Sequence, residues 1–185
     1  MTPQQTRDDY LTEVTIGEPR PHRGPVELGE YDTAWPGLFE REAAHIREAL
    51  GARALLVEHV GSTSVPGLPA KPVLDIVVAV AESANEASYV PALVAAGYTL
   101  RIRERDWFEH RLLKRDDPPV NVHVFSNGCP EIDRMIAFRD RLRVDEADRK
   151  LYARTKRELA VRDWEYVQHY ADAKGKVIER ILERR

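Results

Sequence analysis

The residues able to do chemistry concentrate in one run, His59-Val60-Gly61-Ser62-Thr63-Ser64-Val65-Pro66-Gly67-Leu68-Pro69-Ala70-Lys71-Pro72-Val73-Leu74-Asp75. A glycine at 61 lets the backbone approach a ligand closely. The N–H and hydroxyl groups of Ser62, Thr63 and Ser64 beyond it can cradle phosphate oxygens. Asp75 interrupts the apolar stretch Val73–Val80. A carboxylate inside a buried strand is costly unless it is paired, hydrogen-bonded or bound to a metal. Asp75 therefore either faces a ligand or is satisfied by loop amides. The run is not a nucleotide-binding P-loop. That motif opens into a helix after Gly-Lys-Ser/Thr, whereas here Pro66 and Pro72 intervene and a strand comes next.

Other candidates lie further along. His123 alternates with Val122 and Val124, so it shares a face with Asn121 and Phe125. It reads either as a ligand-facing group or as a hydrogen-bonded strand histidine. His59 ends a strand and can ligate a metal or brace the turn. Lys71 can neutralise phosphate, pair with Asp75 or stay solvated. Arg111 and Lys114, three apart on a strand, can point to different faces. Arg139 and Arg143, at i and i+4 of a helix, can clamp an anion or form a solvated face with Asp140 and Asp145. Lys156, Tyr170 and Lys174 offer pocket wall or helix packing. Cys129 is the only cysteine, so no intramolecular disulfide is possible, and nothing near it suggests a nucleophile.

These residues need elements to position them. Thr33 is expected to cap a helix running to Leu50, with Gly51 as its stop. Ala54–Val60 and Val73–Val80 read as strands, the second buried on both faces. Gly61–Pro72 is a structured loop and Glu82–Ala96 a helix. Tyr98–Arg103, Phe108–Lys114 and Val120–Phe125 read as strands, the last two joined by a turn at Asp116–Pro119. Helices are expected at Glu131–Arg143, Asp145–Ala160 and Trp164–Glu183. The expected fold class is α+β, a mixed sheet with flanking helices and a C-terminal helical bundle. Residues 1–25 form a polar arm that either lies on the body or stays loose, and residues 26–185 form one domain.

Composition narrows the partners. The chain has 185 residues, 43% of them apolar and 32% charged, with a net charge of −3. That supports a core and disfavours duplex nucleic acid, whose binders carry a basic excess. No run approaches the ~18 apolar residues of a membrane span. A cytoplasmic location with no membrane partner is the expectation.

The ordered motifs resemble those of the GrpB family. They are His59 to Leu68 with Lys71-Pro72 and Asp75-Ile76; Glu109-His110-Arg111 with Lys114; Asn121 to Phe125; Phe138-Arg139-Asp140 with Leu142-Arg143; Tyr152 with Lys156; and Tyr170 with Lys174. The resemblance runs from about Val26 to Leu182. It implies a fold similar to the nucleotidyltransferases, in which a Gly-Ser turn holds triphosphate and paired carboxylates on a strand hold Mg²⁺. It also implies phosphate-binding roles for Gly61, Ser62, Thr63, Ser64, Lys71, Arg111, Lys114 and Arg139. Asp75 and His123 become the catalytic pair, and a divalent metal, Mg²⁺ or another, would sit on Asp75, His123 and His59. The pattern departs from those enzymes at Val77, where the second acid would stand, and at His123, where a third would stand. Two function classes stay open. One is a nucleotide- or phosphate-binding protein able to transfer a nucleotidyl or phosphoryl group. The other is a non-catalytic accessory domain with a protein partner, in keeping with such domains fused to dephospho-CoA kinase.

Overall fold

The structure, a computed structural model, describes residues 3–184, with side chains from Arg7 to Arg184. Five strands make one mixed sheet: β1 Leu56–Val60, β2 Leu74–Val80, β3 Thr99–Glu104, β4 His110–Asp116 and β5 Pro119–Ser126. Their spatial order is β1-β2-β5-β4-β3. Only the central pair β2–β5 is parallel. The apolar run at 73–80 thus occupies the middle of the sheet, where both faces of a strand are covered.

Strand alternation divides the sheet into two faces. Leu74, Ile76, Val78 and Val80 join Val57, Val120, Val122 and Val124 on one of them. They bury against Ala43, Ile46 and Leu50 of α2 (Trp35–Leu50) and Leu93 of α3 (Val90–Ala95). The other face carries Asp75, Val77 and Ala79. There Val60, Val77, Ala79 and Phe125 pack beneath Ile132 of α4 (Pro130–Val144). Beside α4 stand α5 (Glu146–Ala160), α6 (Val167–Ala173) and α7 (Gly175–Leu182). Val65 and Leu68 of the loop after β1 insert among Leu142, Tyr152, Val177 and Ile181 of these helices, which anchors the loop to the bundle.

Several expected boundaries move. Helix α2 opens at Trp35, and it is the Asp32 carboxylate, not Thr33, that takes a backbone N–H there, from Ala34 at 2.8 Å. The expected helix at 82–96 shrinks to a short 3₁₀ turn at Glu86–Ser88 and six-residue α3. The expected last helix is divided at Lys174 into α6 and α7. Asp145 caps α5 by accepting the Asp148 N–H at 2.9 Å.

Within the segment read as an arm, Pro3–Val14 is a helix, α1. Its Leu11 and Val14 are buried. Thr15 pairs with Ile102 of β3, and Tyr10 donates to Glu104 at 2.8 Å. The segment then crosses to the far helices, where the His22 N–H reaches the Glu165 carbonyl at 2.7 Å and Gly24 pairs with Trp164.

Candidate functional site

Between the second sheet face and the helical bundle lies a cavity of about 690 Å³. Its floor is a row of residues aligned across the sheet: Val60, Asp75, Asn121, Lys114 and Thr99, each registered with the next. The Gly61–Ser64 turn leaves the sheet beside Asp75. Gly61 has φ +68° and ψ −171°, a conformation open in practice only to glycine. A Cβ on Gly61 would sit 2.9 Å from the Asp75 Cβ and collide with its carboxylate. Glycine is required here because the turn is folded directly over the acid.

Asp75 accepts a hydrogen bond from Asn121 Nδ2 at 2.8 Å and has His123 Nε2 at 3.5 Å. Burial pushes its carboxyl pKa up, but the bonds to His123 and Asn121, helped by the charge of Lys174, bring it below the ordinary value. Behind His123 the polar contacts continue. Its Nδ1 lies 3.1 Å from His110 Nε2, and His110 Nδ1 lies 2.6 Å from Glu104. His110 is 3% exposed, and burial holds its pKa near 4 even against the pull of Glu104. This row of contacts orients His123 from behind.

Cations ring the single floor carboxylate. Lys71, Lys114, Lys156 and Lys174 all line the cavity, with Arg20 and Arg101 at the β3 side. Lys156, from α5, is 1% exposed; it donates to Ser62 Oγ at 3.0 Å and to the Pro69 carbonyl. Its ammonium also stands 5.0 Å from the Tyr152 ring centre. Burial, reinforced by nearby Lys174, lowers its pKa to about 7. Lys174 lies over the Tyr170 ring, and burial lowers it to about 8 although Asp75 pulls the other way. Burial, with the charge of Lys114, also lowers Lys71. Lys71, Lys114, Lys156, Lys174, Arg20 and Arg101 outnumber the carboxylates that line the cavity, Asp75, Asp116 and Glu131, the last of them paired with Arg134, so the arrangement is short of negative charge. An anion would complete it.

Gly61, Ser62, Thr63, Lys71, Lys114, Asp75 and His123 all reach this cavity. Five residues singled out in the sequence, His59, Ser64, Arg111, Arg139 and Arg143, do not. Arg111 registers with Val124, on the opposite face from Lys114, and is fixed to Glu86 at 2.5 Å and Glu109 at 2.9 Å. Arg139 is bound to Glu58 at 2.7 Å, Asp140 at 2.8 Å and the His59 carbonyl at 2.9 Å. The Ser64 hydroxyl closes its own turn onto the Gly61 carbonyl at 2.5 Å, and Arg143 holds the Ser64 carbonyl from outside. His59 registers with Ile76 and so lies on the face away from Asp75. It stacks on Phe39 and bonds Thr63 Oγ1 at 3.0 Å. Arg139, Ser64 and His59 shape the turn, and Arg111 braces the far face of the sheet. They do not touch the space that the turn encloses.

Asn121 is a site residue that sequence reasoning missed, although its place two before His123 put it on the floor. Also missed was the part of residues 1–25 that lines the cavity, namely Leu11, Thr15, Pro19 and Arg20.

The donor set does not fit a two-ion centre. The i+2 neighbour of Asp75 is Val77, fully buried in an apolar cluster. His59 faces away, and His123 turns its second nitrogen to His110. Among the described residues no group of three or more His, Cys, Asp or Glu side chains is placed to hold a metal ion. None of the described helices is long and apolar enough to cross a membrane.

Comparison with known proteins finds relatives of this chain and a solved structure of the same architecture. A UPF0157 protein of Halalkalibacterium halodurans is 58% identical over 96% of this chain and 91% of its own. A dephospho-CoA kinase of Mycolicibacterium paratuberculosis is 34% identical over 76% of this chain, which matches only 41% of that protein. The crystal structure of the conserved protein GrpB from Enterococcus faecalis superposes with a TM-score of 0.72 at 32% identity, covering 85% of this chain and 98% of that one. The Cid1 poly(U) polymerase aligns over 83% of this chain and 47% of its own, with a TM-score of 0.46 at 12% identity. Residues 25–184 match the GrpB protein family, and the chain belongs to it.

Proposed function

We propose that the cavity binds a nucleotide or another phosphorylated small molecule, with lysine side chains rather than metal ions supplying the countercharge. The observation that carries this reading is the ring of Lys71, Lys114, Lys156 and Lys174 around Asp75, opening at the Gly61–Ser62 turn. The Ser62 hydroxyl and Lys156 ammonium, 3.0 Å apart, form a paired anchor for phosphate oxygens.

Once a ligand is bound, two outcomes each have a supporting observation. Asp75, ionised and lying 3.5 Å from His123 on the cavity floor, favours group transfer: it can take the proton of an acceptor hydroxyl as that oxygen attacks phosphorus, while the phosphoanhydride P–O bond of the ligand breaks and the remaining phosphate leaves as an anion, its charge met by the cavity lysines. The buried Val77 favours an accessory domain that binds without transfer, because the acid that would complete a metal centre is missing. The family's kinship with part of a dephospho-CoA kinase supports the accessory reading equally.

The test is a thermal-shift screen with ATP, GTP, CTP, UTP and coenzyme A precursors, each with Mg²⁺ or with EDTA. A ligand at 100 times its Kd stabilises the native state by about 2.7 kcal/mol. A shift that persists in EDTA and disappears in Lys156→Met supports the reading. Stabilisation only in Mg²⁺ overturns its metal-free part, and no shift with any phosphorylated compound overturns it entirely. In the group-transfer reading Asp75→Asn keeps binding and loses turnover. In the accessory reading the wild-type protein has no turnover to lose.

A further inference from the structure

The floor row sets a distance. The Gly61–Ser62 turn comes directly after Val60, and Lys114 stands three strand spacings away, about 14 Å at the usual ~4.8 Å per strand. The cations are therefore not one cluster. Lys156 marks the end at the turn. Lys114 marks the other end, where it is joined by Arg101 of β3 and by Arg20 of the N-terminal segment.

The second end is a built feature, because the chain carries Arg20 to it. The segment is tied to β3 by the Ile16 N–H on the Arg101 carbonyl at 2.8 Å, and to the far helices at His22. Between these two anchors Pro19 and Arg20 line the cavity. Burial and the nearby charges of Arg101 and Arg20 lower the pKa of Lys114, while Asp75 and Asp116 oppose them. Among the described residues, none of Arg20, Arg101 and Lys114 forms an ion pair with a carboxylate. This contrasts with Arg103, Arg111, Arg139 and Arg141, all of which do.

Resting on the binding reading above, we infer that the ligand carries a second anionic group, remote from the phosphate held at Ser62 and Lys156, and that Arg20 with Lys114 recognises it. The ligand class is a small molecule with phosphoryl groups at both ends. Arg20 is then a specificity-determining residue supplied by a segment outside the family match, which begins at residue 25.

The experiment is calorimetric titration of the full chain with octyl monophosphate and octane-1,8-diol bisphosphate as probes, the eight-carbon chain of the bisphosphate being long enough to set its two phosphates at the ~14 Å spacing of the floor row. The wild type is expected to bind the bisphosphate at least tenfold more tightly. Arg20→Ala, at an exposed position whose fold is checked by circular dichroism, is expected to abolish that advantage and leave monophosphate affinity within twofold. Lys156→Met is expected to weaken both probes. Equal wild-type affinities for the two probes, or an Arg20→Ala loss that is the same for both, overturns the second anionic site and leaves the first intact. Binding of neither probe, or binding indifferent to Lys156→Met, overturns the phosphate reading and this inference with it.

Discussion

Gly61→Ala tests whether the turn is folded onto the acid as described. Two penalties act at that position. The backbone at φ +68°, ψ −171° lies in a region that costs a side chain on the order of 1–3 kcal/mol. The new Cβ would also lie 2.9 Å from the Asp75 Cβ and 3.0 Å from its Cγ. Relieving that overlap means moving a central strand or turning the carboxylate away from Asn121, which overpacking data place at a further ~1–3 kcal/mol. The expected loss, the sum of the two, is about 2–6 kcal/mol in urea unfolding. Gly67→Ala separates the two penalties. Gly67 has φ +75° but no atom within 4 Å of its added Cβ, so it meets the backbone penalty alone. The expected order is Gly61→Ala well below Gly67→Ala, with Gly67→Ala below wild type. A Gly61→Ala protein no less stable than Gly67→Ala would refute the contact between turn and acid.

Other outcomes rest on the same geometry. Arg139→Ala leaves the His59 carbonyl and Glu58 without their cation and should cost about 2–3 kcal/mol of stability. Isothermal titration with a phosphorylated probe should show affinity unchanged in that variant once the measurement is made where it is fully folded. His59 titrates near 4 when folded, because burial disfavours its charge, and near 6.5 when unfolded. Between those values the unfolded chain holds more protons, so stability should fall as pH drops from about 6.5 to 4. Urea midpoints across that window should fall less steeply in His59→Gln. Lys156 and Lys174, near 7 and 8, lose their protons in turn as pH rises. Affinity for a phosphorylated probe should therefore weaken from about pH 6.5 to about 9. At about pH 8, binding should take up a proton, seen as a heat that depends on the ionisation enthalpy of the buffer.

The central strand and the hairpin were legible because their signals are local. Val73–Val80 is apolar apart from Asp75, and paired prolines mark the turn between β4 and β5. Asp75 stood out for the same reason, as a charge in a run that otherwise excludes charge. The illegible part depends on register between strands remote in sequence. His59 and Asp75 are both plausible ligands until pairing of His59 with Ile76 assigns them to opposite faces. Arg111 and Arg139 resemble anion-binding arginines in sequence. Their partners, Glu86 and Glu58, lie 25 and 81 residues away. Helix α1 escaped notice because, among its described side chains, Leu11 and Val14 alone are buried, too few apolar positions to impress a helical period on the sequence.

The parallel pairing of β2 with β5 has a kinetic consequence. Asp75 and Asn121 meet only when strands separated by some forty residues of helix and hairpin align, and pairing over such sequence separations is slow because the loop must close before any contact rewards it. No fragment lacking either strand holds both halves of the floor. The site therefore comes into being with the completed sheet, and a bound anion that bridges β2, β5 and the bundle acts as a clasp on the assembled chain. Its presence should register chiefly as slower unfolding, with the rate of folding little changed.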